Sequence, residues 1–169
     1  MASGKTTIGK RLAKRLNKVF WDSDQEVERA AGGYNVADIY EQWGSEAFRL
    51  VERNVIQRLL SSQPPHVLST GEGAFLDSET RSLLLDQAIV VWLKSDVHTL
   101  LSRLQRKVRP QLEEEENLEK KLESYMLERD PIYSMADICV KSNDEIYHDT
   151  VENIAVAVQN FCYPAATSL

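Results

Sequence analysis

The first residues that could do chemistry lie at the start of the chain, in the run from Ser3 to Thr7. In the phosphate-binding pattern G-x-x-x-x-G-K-[ST], backbone N–H groups hold phosphate oxygens, the lysine reaches the β- and γ-phosphates, and the hydroxyl binds Mg²⁺ where a helix begins. Gly4, Lys5 and Thr6 match the last three fixed positions. The first glycine would stand five residues before Gly4, ahead of the first residue given. Alone, the tripeptide indicates either a nucleotide site or a surface turn that enters a helix.

Two carboxylates follow the next apolar segment. Residues 19–21 predict a short strand that ends at Asp22-Ser23-Asp24. Open α/β sheets bind ligands outside the carboxyl ends of their strands, so one carboxylate could bind Mg²⁺ through water or take a proton from a substrate hydroxyl. Asp22 and Asp24 could equally cap the helix predicted over residues 25–31. Spacing alone does not separate these interpretations.

A glycine turn and a pair of opposite charges could each be either functional or incidental. The turn Gly71-Glu72-Gly73 follows a strand predicted over residues 66–70, and such glycines allow either a close approach of backbone to a ligand or a plain chain reversal. Arg49 and Glu52 stand three residues apart on a predicted helix. Most pairs of this kind are exposed and contribute less than about 1 kcal/mol.

Residues 107–117 differ in character from the segments around them. Basic residues and Pro110 come first, and a run of four glutamates follows from Glu113 to Glu116. We expect a flexible loop here, a mobile lid whose Arg109 would face a polyanion. The glutamates are typical of a solvated helix start, because carboxylates are favoured at helix N-termini.

Strand and helix signals alternate along the chain. This alternation predicts a three-layer αβα fold with a parallel sheet, and the apolar residues 89–93 are typical of a strand buried on both faces. One strand is missing from the count, since a phosphate loop normally follows a strand. Helices are expected over 5–17, 25–31, 36–43, 45–59, 77–85, 96–106, 118–129 and 150–161, and strands over 19–21, 66–70, 89–93 and 136–140.

Composition limits the class of protein. A length of 169 residues with 43% hydrophobic and 27% charged residues fits one soluble domain. The net charge of −6 argues against nucleic acid or an anionic membrane as the main partner. Cys139 and Cys162 lack metal-ligand spacing, which predicts buried thiols in a reducing compartment. With no membrane-length apolar run and no signal-peptide core, we expect a cytoplasmic location.

Together these motifs resemble the shikimate kinase family, small phosphate-loop kinases of the nucleoside-monophosphate-kinase type. The resemblance runs from residue 1 to about 161, and its specificity comes from several motifs that stand in the right order at nearly the right spacings. The motifs are the phosphate loop with its Thr-Thr-Ile-Gly continuation, Asp22-x-Asp24, Phe48-Arg49-x-x-Glu52, the glycine turn, the lid's Arg109-Pro110, and Arg129-x-Pro131-x-Tyr133.

The resemblance implies a role for each matched residue. ATP would bind the phosphate loop through Ser3, Gly4, Lys5, Thr6 and Thr7, with Arg103 and Asn143 at the adenine and Arg109 on the phosphates. Mg²⁺ would be held by Thr6 and, through water, by Asp22. Shikimate would be bound by Asp24, Arg49, Gly71, Glu72, Gly73 and Arg129. Lys5, Asp24 and Arg109 would carry catalysis, with Asp24 aiming or deprotonating the acceptor hydroxyl.

Three departures from the family pattern matter. The first phosphate-loop glycine and its central strand are missing, so we expect that roughly ten residues precede the given start in the working protein, because a strand of that order feeds such a loop. Ala2 replaces the loop's inner glycine, where phosphate loops tolerate other residues. Glu72 replaces the middle glycine of the substrate turn, where it could shift specificity or point outward.

Two other functions remain open on the sequence. A related small-molecule kinase, such as a gluconate kinase, would share the architecture, although the Arg49 and Arg129 motifs favour shikimate. A silent kinase-like domain that only binds nucleotide or a partner protein is suggested by the truncated loop and Glu72. The expected organisation is one kinase domain over residues 1–162, a tail over 163–169, and a monomer whose only partners are small molecules.

Overall fold

The computed structural model describes residues 3–62, 65–108, 112–142 and 147–164. Helices and short strands alternate through these ranges, as the sequence predicts. The chain divides into two compact units, Gly9–Ala88 and the combination of Met1–Ile8 with Ile89–Leu169. The elements are α1 Lys5–Leu16, β1 Val19–Asp22, α2 Ser23–Ala30, α3 Val36–Leu60, β2 His66–Ser69, α4 Ser78–Gln87, β3 Val91–Lys94, α5 Val97–Val108, α6 Leu112–Tyr133, β4 Ile138–Lys141 and α7 Tyr147–Cys162.

In the unit Gly9–Ala88, β1 and β2 form a parallel pair joined by α2 and α3. Val19 lies opposite His66, and Asp22 lies opposite Ser69. Because the strands run parallel and in register, both end at the same edge of this small sheet. The acidic segment after β1 and the glycine turn after β2 therefore leave from one edge.

The core of this unit lies against α2 and α3. Its buried side chains come from the apolar positions of both helices, and Trp21 of β1 and Leu68 of β2 pack on them from the strands. Burial at this spacing explains why the two helices form here. The cluster is Val27, Ala31, Ile39, Phe48, Val55 and Leu59.

Local signals fix where these helices begin and bend. Asn35 caps α3 by accepting the N–H of Asp38 at 3.0 Å, and Asp77 caps α4 by accepting the N–H of Thr80 at 2.8 Å. Gly44 has φ 79° inside α3. The predicted break at Gly44 is thus a kink within one long helix, which only a residue without Cβ adopts at low cost.

The second unit holds the start of α1, β3, β4 and the helices α5, α6 and α7. β3 and β4 are parallel, with Val91 opposite Ile138 and Lys94 opposite Lys141. Ser142 extends this pairing, since its N–H donates to the carbonyl of Lys94 at 2.8 Å. The buried apolar residues of this second unit include Leu101, Leu122, Val140, Val151 and Ile154.

The strand pairing differs from the expectation of one sheet. In the described parts of the chain, the strands form two separate two-stranded sheets, β1–β2 and β3–β4. The β3 residues are half-buried rather than buried on both faces, so that prediction was wrong. In the described residues β3 pairs only with β4, and a strand with one neighbour is less buried than a central strand.

The stretch predicted as a loop over 107–117 is largely helical. α5 continues to Val108 and α6 begins at Leu112, while residues 109–111 lie outside the described part. A helix start at Leu112 fits the run of glutamates that follows it, because carboxylates stabilise a helix N-terminus. α6 also continues past its predicted end at Arg129, through Pro131 to Tyr133.

Both cysteines are exposed, which corrects the prediction of buried thiols. In β4 the side chains alternate between faces, and Val140 takes the buried side while Cys139 faces out. Cys162 is the last residue of α7. Among the residues described, no helix combines the length and apolarity required to cross a membrane.

Candidate active site

The phosphate-loop residues lie at the start of α1. Gly4 has φ 87°, a left-handed conformation that favours glycine, and its carbonyl accepts the N–H of Ile8 at 2.9 Å. Lys5 and Thr6 open the helix, whose first turn contains no acidic residue. The first N–H groups of a helix have no partner within it and carry partial positive charge. This geometry fits a bound phosphate.

Asp22 and Asp24 have different positions in the structure, a difference that their spacing in the sequence could not show. Asp22 ends β1, is 9% exposed, and caps α2, where its Oδ1 accepts the N–H of Asp24 at 3.1 Å. The capping interpretation is therefore right for Asp22. Asp24 lies in the first turn of α2 and lines a pocket instead.

The pocket measures about 200 Å³ and lies wholly within the unit Gly9–Ala88. It exceeds the ~150 Å³ of an engineered cavity that takes benzene, so one substituted six-membered ring is a suitable size of ligand. It brings together five residues that the sequence selected from separate segments. These are Asp24, Arg49, Gly71, Glu72 and Gly73.

The two glycines of the turn are required for close approach. A Cβ at Gly71 would lie 2.5 Å from Oδ1 of Asp24 and 2.7 Å from Oε1 of Glu52, and a Cβ at Gly73 would overlap the Arg49 guanidinium. The N–H of Gly71 also donates to the buried hydroxyl of Ser23 at 2.9 Å. The middle position has no positive φ and accepts a side chain. The turn therefore accommodates Glu72, which is among the residues that line the pocket.

Arg49 and Glu52 form an ion pair at the pocket wall. The Glu52 side chain is 1% exposed and that of Arg49 is 27% exposed, so this is not the exposed pair that spacing alone suggests. Burial raises the pKa of Glu52 above 4.5, and the hydrogen bond and charge of Arg49 oppose that rise. Oε1 of Glu52 has no hydrogen-bond partner in the described residues.

The aromatic wall of the pocket was not predicted. Val36, Tyr40 and Phe48 line it, with the Tyr40 and Phe48 ring centroids 4.3 Å apart. The Arg49 guanidinium lies 5.3 Å from the Phe48 ring centroid and 5.8 Å from that of Tyr40. Tyr40 and Phe48 are eight residues apart, a spacing that can place two side chains on one face of a helix. The break predicted at Gly44 assigned them to two different helices, so the sequence did not indicate that they share a face.

The other predicted arginines lie in the second unit. Arg103 of α5 is 7% exposed and donates to the hydroxyl of Ser142 at 3.2 Å. The Arg129 guanidinium of α6 stacks over the Tyr125 ring, 4.2 Å from its centroid. Arg109 and Asn143 lie outside the described residues. In the described residues, no group of three or more His, Cys, Asp or Glu is arranged to hold a metal ion.

Known proteins share this fold. The shikimate kinase from Acinetobacter baumannii, solved in complex with shikimate, is similar with a TM-score of 0.82 and 34% identity, over 95% of this chain and 89% of that one. The fold and site define a small phosphate-loop kinase.

The family follows from two sequence matches. The shikimate kinase family model matches residues 1–159. The shikimate kinase of Caulobacter vibrioides is 42% identical over 159 residues, which cover 94% of this chain and 78% of that protein. The chain belongs to the shikimate kinase family.

A gluconokinase from Sinorhizobium meliloti is also similar, with a TM-score of 0.61 and 17% identity. At that identity the likeness shows a shared fold and says nothing of substrate.

Proposed function

We propose that this chain transfers the γ-phosphoryl group of ATP to the 3-hydroxyl of shikimate, a step towards chorismate and the aromatic amino acids. The observation that carries the proposal is the pocket in which Asp24, Arg49 and the glycine turn meet, in a chain that the shikimate kinase family model matches over residues 1–159. Shikimate is a ring that bears one carboxylate and three hydroxyls. The pocket offers matching groups of both kinds.

The pocket residues divide between the two ends of the substrate. Arg49 supplies a guanidinium that can bind a carboxylate with two hydrogen bonds, and Glu52 holds it from the buried side. Asp24 accepts the proton of the hydroxyl that attacks, or orients that hydroxyl. Arg129, stacked on Tyr125, is proposed as a second guanidinium for the carboxylate.

The start of α1 is proposed to bind the phosphates of ATP. Ser3, Gly4, Lys5, Thr6 and Thr7 provide backbone N–H groups, one ammonium and three hydroxyls at a helix start that carries no acidic residue. Arg103, Asn143 and Arg109 are proposed at the nucleotide. Phosphoryl transfer depends mostly on positioning and charge neutralisation, which these groups supply.

Mg²⁺ fits the donor set at these positions. Thr6 offers a hydroxyl at the helix start, and Asp22 offers a carboxylate at the end of β1. Mg²⁺ in such kinases needs only one or two protein oxygens, because water and phosphate complete its shell. When bound, it supplies charge neutralisation on the phosphates.

The test is ADP formation from ATP with the 169-residue chain, with shikimate, gluconate or no acceptor present. We expect turnover with shikimate only. Turnover with gluconate but not shikimate would support the related-kinase alternative. No response to any acceptor, together with retained ADP binding, would support the silent domain.

We further propose that the enzyme is a monomer in the cytoplasm with only small-molecule partners. The net charge of −6 supports the absence of a polyanionic partner.

A further inference from the structure

Ser142 follows β4 and is 1% exposed. Its backbone is fixed to the end of β3, because its N–H donates to the carbonyl of Lys94 at 2.8 Å and its carbonyl accepts the hydroxyl of Ser95 at 3.3 Å. The position of the Ser142 side chain is therefore set by the paired strands. Neither the sequence motifs nor the proposed mechanism uses this residue.

The hydroxyl of Ser142 joins two groups that the proposed function places at the nucleotide. It accepts an N–H of Arg103 at 3.2 Å and donates to the carbonyl of Ser3 at 3.4 Å. A guanidinium can only donate hydrogen bonds, so the single hydroxyl proton is left for the carbonyl. The order of donation therefore runs from Arg103 through Ser142 to Ser3.

Ser3 immediately precedes Gly4, whose φ of 87° sets the turn into α1. A hydrogen bond to the Ser3 carbonyl fixes the peptide plane between these two residues, and with it the direction of the Gly4 N–H. That N–H is one of the groups proposed to hold phosphate. The contact lies within the unit formed by Met1–Ile8 and Ile89–Leu169.

We propose that Ser142 is a positioning residue for the phosphate loop, which it holds through the Ser3 carbonyl with Arg103 behind it. The proposal rests on the proposed function and adds to it a residue that acts on ATP without touching it. Arg103 then acts on the loop through Ser142, besides its proposed place at the adenine. In a purely structural role, Ser142 would instead only connect the ends of β3 and β4 with α5 through its hydrogen bonds.

The experiment compares Ser142→Ala, Ser142→Thr and Ser95→Ala. Loss of the hydroxyl should raise the KM for ATP about three- to tenfold, the effect of one lost hydrogen bond, with the KM for shikimate changed less than about twofold. Ser142→Thr keeps the hydroxyl and should restore the KM for ATP. Ser95→Ala removes a buried hydroxyl that bonds the same residue but does not reach Ser3, so it should leave the KM for ATP unchanged.

An unchanged KM for ATP in Ser142→Ala, or an equal rise in Ser95→Ala, overturns the proposal and leaves Ser142 with a structural role only. If Ser142→Ala does not fold, Ser142→Cys replaces it, and its weaker donor should give an intermediate KM. ADP binding is measured by calorimetry on the same variants. Should the parent chain show no shikimate-dependent turnover, the proposed function fails, while weaker ADP binding by Ser142→Ala than by Ser95→Ala would still support the positioning role.

Discussion

At the scale of single residues, the pocket is more acidic than its proposed ligand requires. Three carboxylates, Asp24, Glu52 and Glu72, line it together with one guanidinium, that of Arg49. Glu52 is neutralised by Arg49, and Asp24 has its proposed role at the hydroxyl. Glu72 adds a third carboxylate, between the two glycines of the turn, and a negative charge at this position would repel an anionic ligand.

The charge of Glu72 yields the first prediction. Glu72→Gln removes one negative charge near a ligand that is itself an anion, so the KM for shikimate should fall about two- to fivefold, as expected for charges a few ångströms apart in a wet site. Glu72→Asp keeps the charge and is the matched control. A KM that rises in Glu72→Gln would show that Glu72 accepts a hydrogen bond from the substrate instead.

The buried position of Glu52 gives a pH prediction. Because burial raises its pKa above 4.5, the folded state binds this proton more tightly than the unfolded state. The stability of the parent chain relative to Glu52→Gln should therefore fall as pH rises from 4.5 through the folded-state pKa, and stay level above it. Urea unfolding of both proteins between about pH 4 and 8 measures the difference. A difference independent of pH would contradict the raised pKa.

At the scale of elements, the cap of α4 supports the turn that carries the pocket glycines. Asp77 accepts the N–H and hydroxyl of Thr80 at 2.8 and 2.7 Å, and Arg53 of α3 donates to the same carboxylate at 3.1 Å. These bonds tie α3, which carries Arg49, to the end of the segment that follows Gly73. Although desolvation works to raise the pKa of Asp77, the bonds from Thr80 and Arg53 outweigh it and lower that pKa below 3.8.

Asp77→Ala should lower the free energy of unfolding by about 1–2 kcal/mol at neutral pH, the usual cost of a lost N-cap. The folded-state pKa of Asp77 lies below 3.8, so its contribution to the free energy of unfolding is present at neutral pH. That contribution is lost as the pH falls from 3.8 through the folded-state pKa. Asp86→Ala, at an exposed site on the same helix, should change stability by less than about 0.5 kcal/mol. Equal effects of the two substitutions in urea unfolding would contradict the cap's role.

The sequence predicted these elements well where the signal is local. The break at Gly44 and the apolar period of α1 each act within a few residues, so the sequence shows them directly, whereas Asp77 was placed inside the helix that it caps. The extent of α6 was missed because Pro110 and Pro131 suggested breaks, whereas the structure carries the helix from Leu112 through Pro131. Strand pairing and the burial of β3 depend on distant segments, which spacing along the chain does not specify.

At the scale of the whole molecule, the site residues come from distant parts of the chain. Asp24, Arg49 and the glycine turn were each ambiguous alone, and only their order along the chain identified them. The structure brings these residues together in one pocket of the unit Gly9–Ala88. The aromatic wall of Tyr40 and Phe48, and Ser142 after β4, were missed because apolar or small polar residues carry no chemical signature in a sequence.

The most direct test of the account is the binding of shikimate to Arg49→Ala, measured by calorimetry beside the parent chain. Loss of a charged hydrogen-bonding group should weaken shikimate binding at least about tenfold, while ADP affinity changes less than about twofold. Arg58→Ala, on the same helix but with its side chain 61% exposed, is the matched control and should bind as the parent does. Unchanged shikimate affinity in Arg49→Ala would contradict the assignment of this pocket to the substrate carboxylate.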